Sequence, residues 1–176
     1  MLRTHTKGMH MMIRQYSTVS SWIDVSDVPG FPEEVRESTK LVSSELVFGT
    51  FRKVFDSFPE ERFCIAMLNT QRQVTGFATI TVGSLDASIV HPREVFAPAI
   101  AQRSHSIIAM HNHPSGNSTP SIEDRRITKR LVACGILLGI EVLDHMVFGY
   151  DSYYSFRSSE PMLMMNPDVN LNLLLS

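Results

Sequence analysis

The segment Ser106-Ile-Ile-Ala-Met-His-Asn-His-Pro-Ser-Gly-Asn-Ser-Thr-Pro-Ser-Ile-Glu-Asp124 governs how its surroundings are read. Ser106 to Met110 is apolar and β-branched, a buried strand running into a loop. His111 and His113 stand at its end. Side chains alternate along a strand, so residues at i and i+2 share a face and two imidazoles can converge on one cation. Pro114, Gly116 and Pro120 impose a tight, non-helical loop, and Ser121 to Asp124 reads as a helix start with a serine cap and first-turn carboxylates. A helix beginning there aims Asp124 back at the strand end. Two histidines and one carboxylate with a fourth position open form the ligand set of a catalytic rather than a structural zinc.

Taken singly, each residue has an ordinary reading. A histidine at a strand end is more often a satisfied polar residue than a ligand, Asp124 suits the helix dipole, and Ser121 is a cap. Those readings must coincide in one short block to account for a histidine pair, a turn-rich spacer and a capped carboxylate together.

His111-x-His113, seven residues, Ser121, two residues and Asp124 resembles the JAMM motif of the JAB/MPN metalloprotease superfamily. His-Asn-His-Pro-Ser-Gly at 111–116, with Pro120-Ser121 and Asp124 after it, is similar to the RadC branch. Val90-His91-Pro92-Arg93-Glu94-Val95, Leu143-Asp144-His145 and Tyr154-Ser155-Phe156 follow in the RadC order, so the resemblance covers residues 60–157. It implies a cytidine-deaminase-like three-layer α/β fold, a mixed sheet with helices on both sides. It also implies zinc held by His111, His113 and Asp124, and bacterial origin.

The chain has 176 residues, 43% of them hydrophobic and 19% charged, which fits one globular domain. A net charge of −2 and a pI near 6.4 supply no electrostatic pull toward nucleic acid, which argues against direct DNA binding. Cys64 and Cys134 form no zinc-knuckle or disulfide pattern, and buried thiols fit a reducing cytoplasm. No apolar run reaches the ~18–20 residues that span a bilayer, so no membrane partner is expected. Residues 1–30 read as a flexible extension: the first 23 contain Arg3, Lys7 and Arg14 and no acid, but no signal-peptide apolar core. The stretch before residue 60 is too short for the helix-hairpin-helix module of many RadC proteins.

Pro29-Gly30 and Pro32 mark a boundary, and apolar residues from Val35 to Phe58 recur at helical spacing, with Gly49 a break or kink. Phe63 to Leu68 reads as a buried strand, Gln71-Arg72-Gln73 as a turn, and Val74 to Val82 as a second strand. Glu60 and Glu61 precede the first strand. A zinc hydrolase needs a carboxylate that is not a ligand to accept a proton, and solvated loop charges are the plain alternative. The RadC resemblance selects Glu61, with Glu60 the runner-up.

His91 opens a helix through about Arg103 containing Pro98, and is read as a cap or loop residue supporting the site rather than a third ligand. Ile127, Leu131 and Cys134 continue the helix after the motif, with Gly135 expected to end it. Ile140 to Phe148 reads as a strand in which Asp144 and His145, being adjacent, face opposite ways; either can brace the site. Residues 31–160 thus form the domain. Residues 161–176, rich in leucine, form a tail that packs on the body, self-associates or stays disordered; the oligomeric state is open.

The expected chemistry is amide hydrolysis by a zinc-activated water, and the resemblance implies peptide or isopeptide bonds, including those to ubiquitin-like tails. Glu61 moves the proton and Ser121 donates to the tetrahedral oxyanion. A DNA-repair-associated role and a non-catalytic, metal-stabilised scaffold are the competing readings.

Overall fold

The computed structural model describes residues 39–83 and 90–165 in full and the backbone of residues 12–17 and 19–24. In chain order the elements are β1 (Met12–Ser17), β2 (Val19–Asp24), α1 (Ser44–Asp56), β3 (Arg62–Leu68), β4 (Val74–Val82), α2 (Pro92–Ala101), β5 (Ser106–Asn112), α3 (Ile122–Leu138), β6 (Glu141–Phe148), β7 (Tyr153–Ser155), α4 (Phe156–Ser159) and α5 (Pro161–Met165). Within the expected N-terminal extension, β1 and β2 pair antiparallel; its other residues lie outside the described part.

The main sheet has the order β4-β3-β5-β6-β7. Only β5 and β6 run parallel, joined by α3; the other pairs are antiparallel, so the sheet is mixed. A parallel pair needs a crossover, and α3 supplies it. Both faces of β3 are buried, in strict alternation. Cys64, Ala66 and Leu68 pack beneath Val47, Phe51, Val54 and Phe55 of α1. Phe63, Ile65 and Met67 pack against Val95, Phe96 and Ala99 of α2 and Ile127 and Leu131 of α3. The result is three layers, helix, sheet, helix, with its cores on either side of the sheet. Among the described residues no helix is long and apolar enough to cross a membrane.

Three local expectations are corrected. The helix expected from the Val35–Phe58 periodicity starts only at Ser44, capped by Ser43; Val35 itself lies outside the described residues. Residues before Ser43 are drawn into extended pairing with the β3–β4 turn, through Leu41 N to Arg72 O at 3.0 Å, Val74 N to Thr39 O at 3.0 Å and a Lys40–Gln73 bridge. Gly49 neither breaks nor ends α1, which runs through it. Gly135 does not end α3: its missing side chain leaves room for the Ile140 carbonyl, 2.5 Å from where a Cβ would sit. The stop is Gly139, left-handed at φ 68°, with Ile140 N bonded back to Gly135 O at 2.9 Å.

The register of β5 against β6 slips between Ile107 and Ile108, whose partners are Val142 and Asp144. That extra residue resets the alternation of β6, so Val142 and His145 both face α3.

Candidate metal centre

The β5–loop–α3 junction lies outside the carboxyl end of β5, where α/β sheets place their sites. His111 ends the alternation of β5 on the α3 side and is fully buried. His113 follows two residues on, with its amide held by Phe148 O at 2.9 Å. The intervening loop is fastened by Gly116 N to His113 O at 2.9 Å and by the Tyr150 hydroxyl, which donates to Pro114 O at 2.7 Å. Gly116 has φ 78°, and the Tyr150 ring lies so close that any Cβ there would collide with it. Only glycine fits both demands.

Ser121 caps α3 in a reciprocal box. Asp124 N donates to Ser121 Oγ at 3.1 Å, while Ser121 N and Oγ donate to Asp124 Oδ2 at 2.6 and 2.7 Å. That grip turns the carboxylate toward the histidines. His111 Nε2 lies 3.2 Å from Asp124 Oδ1, His113 Nε2 3.5 Å from Oδ2, and the two Nε2 atoms 3.1 Å apart. Glu61 Oε1 is 3.9 Å from His113 Nε2, and ligand atoms of Glu61, His111 and His113 all fall within 4.8 Å of one another. Glu61 is partly exposed, whereas Asp124 is buried.

Both histidines direct Nε2 into the cluster because each Nδ1 is engaged elsewhere: His113 Nδ1 with Asn117 O at 2.7 Å, His111 Nδ1 with His145 Nε2 at 2.9 Å. Burial works to raise the Asp124 carboxyl, but its contacts with the His111 and His113 rings and the Ser121 hydroxyl hold it well below the usual carboxylate range. The hydrogen bond to Asp124 raises His113 against the pull of burial. Burial, then the neighbouring His111, pushes His145 well below the ordinary histidine range, so it is neutral.

The donor set fits a zinc ion. Ligands ~2.0–2.1 Å from a tetrahedral metal lie about 3.3–3.4 Å apart, close to the 3.1 Å between the two imidazole nitrogens and to the 3.2 and 3.5 Å from them to Asp124 Oδ1 and Oδ2 respectively.

Of the residues expected from sequence, Glu61, His111, His113 and Asp124 are brought together, and Ser121 sits beside them with its proton directed to Asp124. His91 is the cap of α2, accepting from Arg93 N at 3.3 Å. Asp144 and His145 have separate partners: Asp144 accepts from Ser155 Oγ and Arg157 N. Sequence reasoning missed three contributors. Asn112 accepts from Arg62 N at 2.9 Å and donates to Glu60 O at 3.1 Å, bracketing Glu61. Thr128 stands one turn after Asp124, a spacing visible in the sequence. The Asn117 carbonyl left no sequence signal, since any residue carries one.

Fold and site together define an α/β domain with a two-histidine, one-carboxylate centre at a strand end. The chain belongs to the RadC-like JAB domain family, whose model matches residues 41–161. A UPF0758 protein of Alkaliphilus metalliredigens (strain QYMF) is 57% identical over 103 residues, 58% of this chain and 44% of that protein. UPF0758 proteins of Clostridium novyi (strain NT) and Symbiobacterium thermophilum are 47% identical over 111 residues and 54% over 97, covering 63% and 55% of this chain and 49% and 42% of theirs. The chain thus spans about half the length of the curated relatives it matches.

Proposed function

We propose that this domain is a zinc-dependent metallopeptidase or isopeptidase of the JAMM type. The observation that carries the reading is the convergence of His111 Nε2 and His113 Nε2, 3.1 Å apart, on the Asp124 carboxylate, whose Oδ1 and Oδ2 lie 3.2 and 3.5 Å from them respectively, with the Glu61 carboxylate beside them. Zinc in such a site acts as a Lewis acid toward an amide carbonyl and lowers the pKa of water to about 7. Glu61, not needed as a ligand, takes the proton of the attacking water and returns it to the leaving amine. Asn112 holds the backbone on both sides of Glu61 and so sets where that carboxylate points. Ser121 fixes Asp124; once a substrate competes for its proton, the same hydroxyl can donate to the oxyanion.

A cleft of about 460 Å³ adjoins His113, lined by Arg52, Phe55, Phe58, Asn112 and Tyr150 among others, and gives a peptide or protein chain, ubiquitin-like tails included, a bed next to the centre. Two free cysteines suit a reducing bacterial cytoplasm as its setting.

The test is a pair of variants. His113→Ala is expected to lose zinc and peptidase activity together, and unaltered zinc binding removes the proposal. Glu61→Gln is expected to retain zinc and lose turnover by about 10²–10⁴-fold; unaltered turnover removes Glu61 as the base, and a parent chain that binds zinc without any turnover points to a scaffold.

A further inference from the structure

His145 and Thr128 take no part in the chemistry just described, yet both are fully buried against the centre. Thr128 Oγ lies 2.6 Å from the backbone oxygen of Asp124 and 2.6 Å from His145 Nδ1, and His145 Nε2 lies 2.9 Å from His111 Nδ1. Two oxygens at 2.6 Å require a hydrogen between them, and a carbonyl has none to give. The single Thr128 proton therefore points at Asp124 O. His145 Nδ1 must then carry the proton shared with Thr128; a ring wholly buried between Phe63 and Phe156 is not left with a second proton and a charge, so its Nε2 is bare. A bare Nε2 can only accept, so His111 Nδ1 donates. His111 is left with its other lone pair, on Nε2, facing His113 and Asp124.

We propose that Thr128 and His145 are positioning residues: a one-way relay from the Asp124 carbonyl through Thr128 and His145 fixes the tautomer of His111 that presents Nε2 to a metal. The affinity consequence rests on the metallopeptidase reading; the tautomer does not. The relay joins α3, β6 and β5, and it starts on the backbone of one proposed ligand and ends on the ring of another. The slip in β5–β6 register turns His145 to this face, and the ring is held by Phe156, stacked at 5.2 Å and 13°, and by Phe63 at 5.3 Å. His113 reaches the same tautomer by an ordinary carbonyl acceptor, Asn117 O. His111, whose buried Nδ1 meets His145 Nε2 at 2.9 Å, uses a second histidine, whose acceptor character has to be imposed from behind. Thr128 imposes it.

Thr128→Val keeps the shape and removes the hydroxyl. His145 is then free to move its proton to Nε2, which opposes His111 Nδ1–H and drives the His111 proton onto the ligating nitrogen, from which zinc must displace it.

The full chain, ¹⁵N-labelled at histidine, is examined metal-free by long-range ¹H–¹⁵N correlation, and zinc affinity is measured by chelator competition. His145 is expected to show a protonated Nδ1 and a bare Nε2. Thr128→Val is expected to bind zinc about 10–100-fold more weakly, while Thr128→Ser stays within about threefold of the parent. A proton on His145 Nε2, an unchanged affinity in Thr128→Val, or a Thr128→Ser variant as weak as Thr128→Val overturns the relay. Should Thr128→Val fail to fold, the parent spectrum decides. A parent chain that binds no zinc defeats the metallopeptidase reading and leaves the His145 spectrum to judge the relay.

Discussion

Asn112 stands between the two histidines and, by strand alternation, faces the opposite side of the sheet, where its amide clips Glu60 O and Arg62 N. Removing that clip frees the residue between them. Asn112→Ala is expected to leave zinc affinity within about threefold and to lower kcat by about tenfold or more with little change in KM, because a misplaced base costs rate and not binding. Equal losses in zinc affinity and kcat would assign Asn112 to metal binding instead. Cys64 offers a test away from the site. Burial pushes its thiol from 9.0 up to about 12. The unfolded chain ionises this thiol near 9 while the folded chain keeps it neutral, so its contribution is whole below about pH 9 and is lost as pH rises toward 12, by about 1.4 kcal/mol per unit. Urea titrations of parent and Cys64→Ala across that range should converge with rising pH; parallel curves contradict the burial argument. At this scale the histidine pair and Asp124 were legible because their convergence needs only local geometry, strand alternation plus a cap. The Asn112 clip and the His145 bond were not: each joins residues far apart in sequence, and the first depends on the β3–β5 register.

Among the elements, the loop between β5 and α3 and the first turn of α3 carry the site. Gly116→Ala must adopt φ 78° with a Cβ inside the Tyr150 ring, so the loop that seats His113 has to shift. The expected outcome is a folded protein with zinc affinity reduced at least tenfold; parent-like affinity would show that the loop does not position His113. Ser121→Ala removes a cap worth about 1 kcal/mol and the proton that orients Asp124. It is expected to lower both the melting temperature and zinc affinity, whereas a bare stability loss would make Ser121 a cap alone. The starts of β3, β4 and α2 and the cap of α3 follow from local signals, namely apolar runs, turn residues and capping side chains. The start of α1 does not, because the segment before Ser43 pairs with the β3–β4 turn, a long-range contact that overrides helical periodicity. The end of α3 was misplaced for the opposite reason: Gly135 serves close packing against Ile140 O and Gly139 serves the turn. Residue type alone does not separate the two uses.

Across the whole molecule, a sheet buried on both faces places the centre at the edge of the core packed by α2 and α3, and the cleft by His113 opens beside α1 and the β6–β7 connection. A centre drawn from β5 and α3, with Glu61 just before β3, exists only when these parts are assembled. The proposed zinc binding is therefore linked to folding. Zinc at a hundredfold excess over its dissociation constant should add about 2.7 kcal/mol and raise the melting temperature by about 5–10 °C, an effect that Asp124→Ala abolishes and a chelator reverses.

The most direct measurement is zinc K-edge X-ray absorption on the purified, zinc-loaded chain. One zinc per chain is expected, with two imidazole nitrogens and oxygen donors at ~2.0–2.2 Å and no sulfur, a spectrum lost in His113→Ala. A sulfur shell near ~2.3 Å, or a spectrum that survives His113→Ala unchanged, would contradict that expectation.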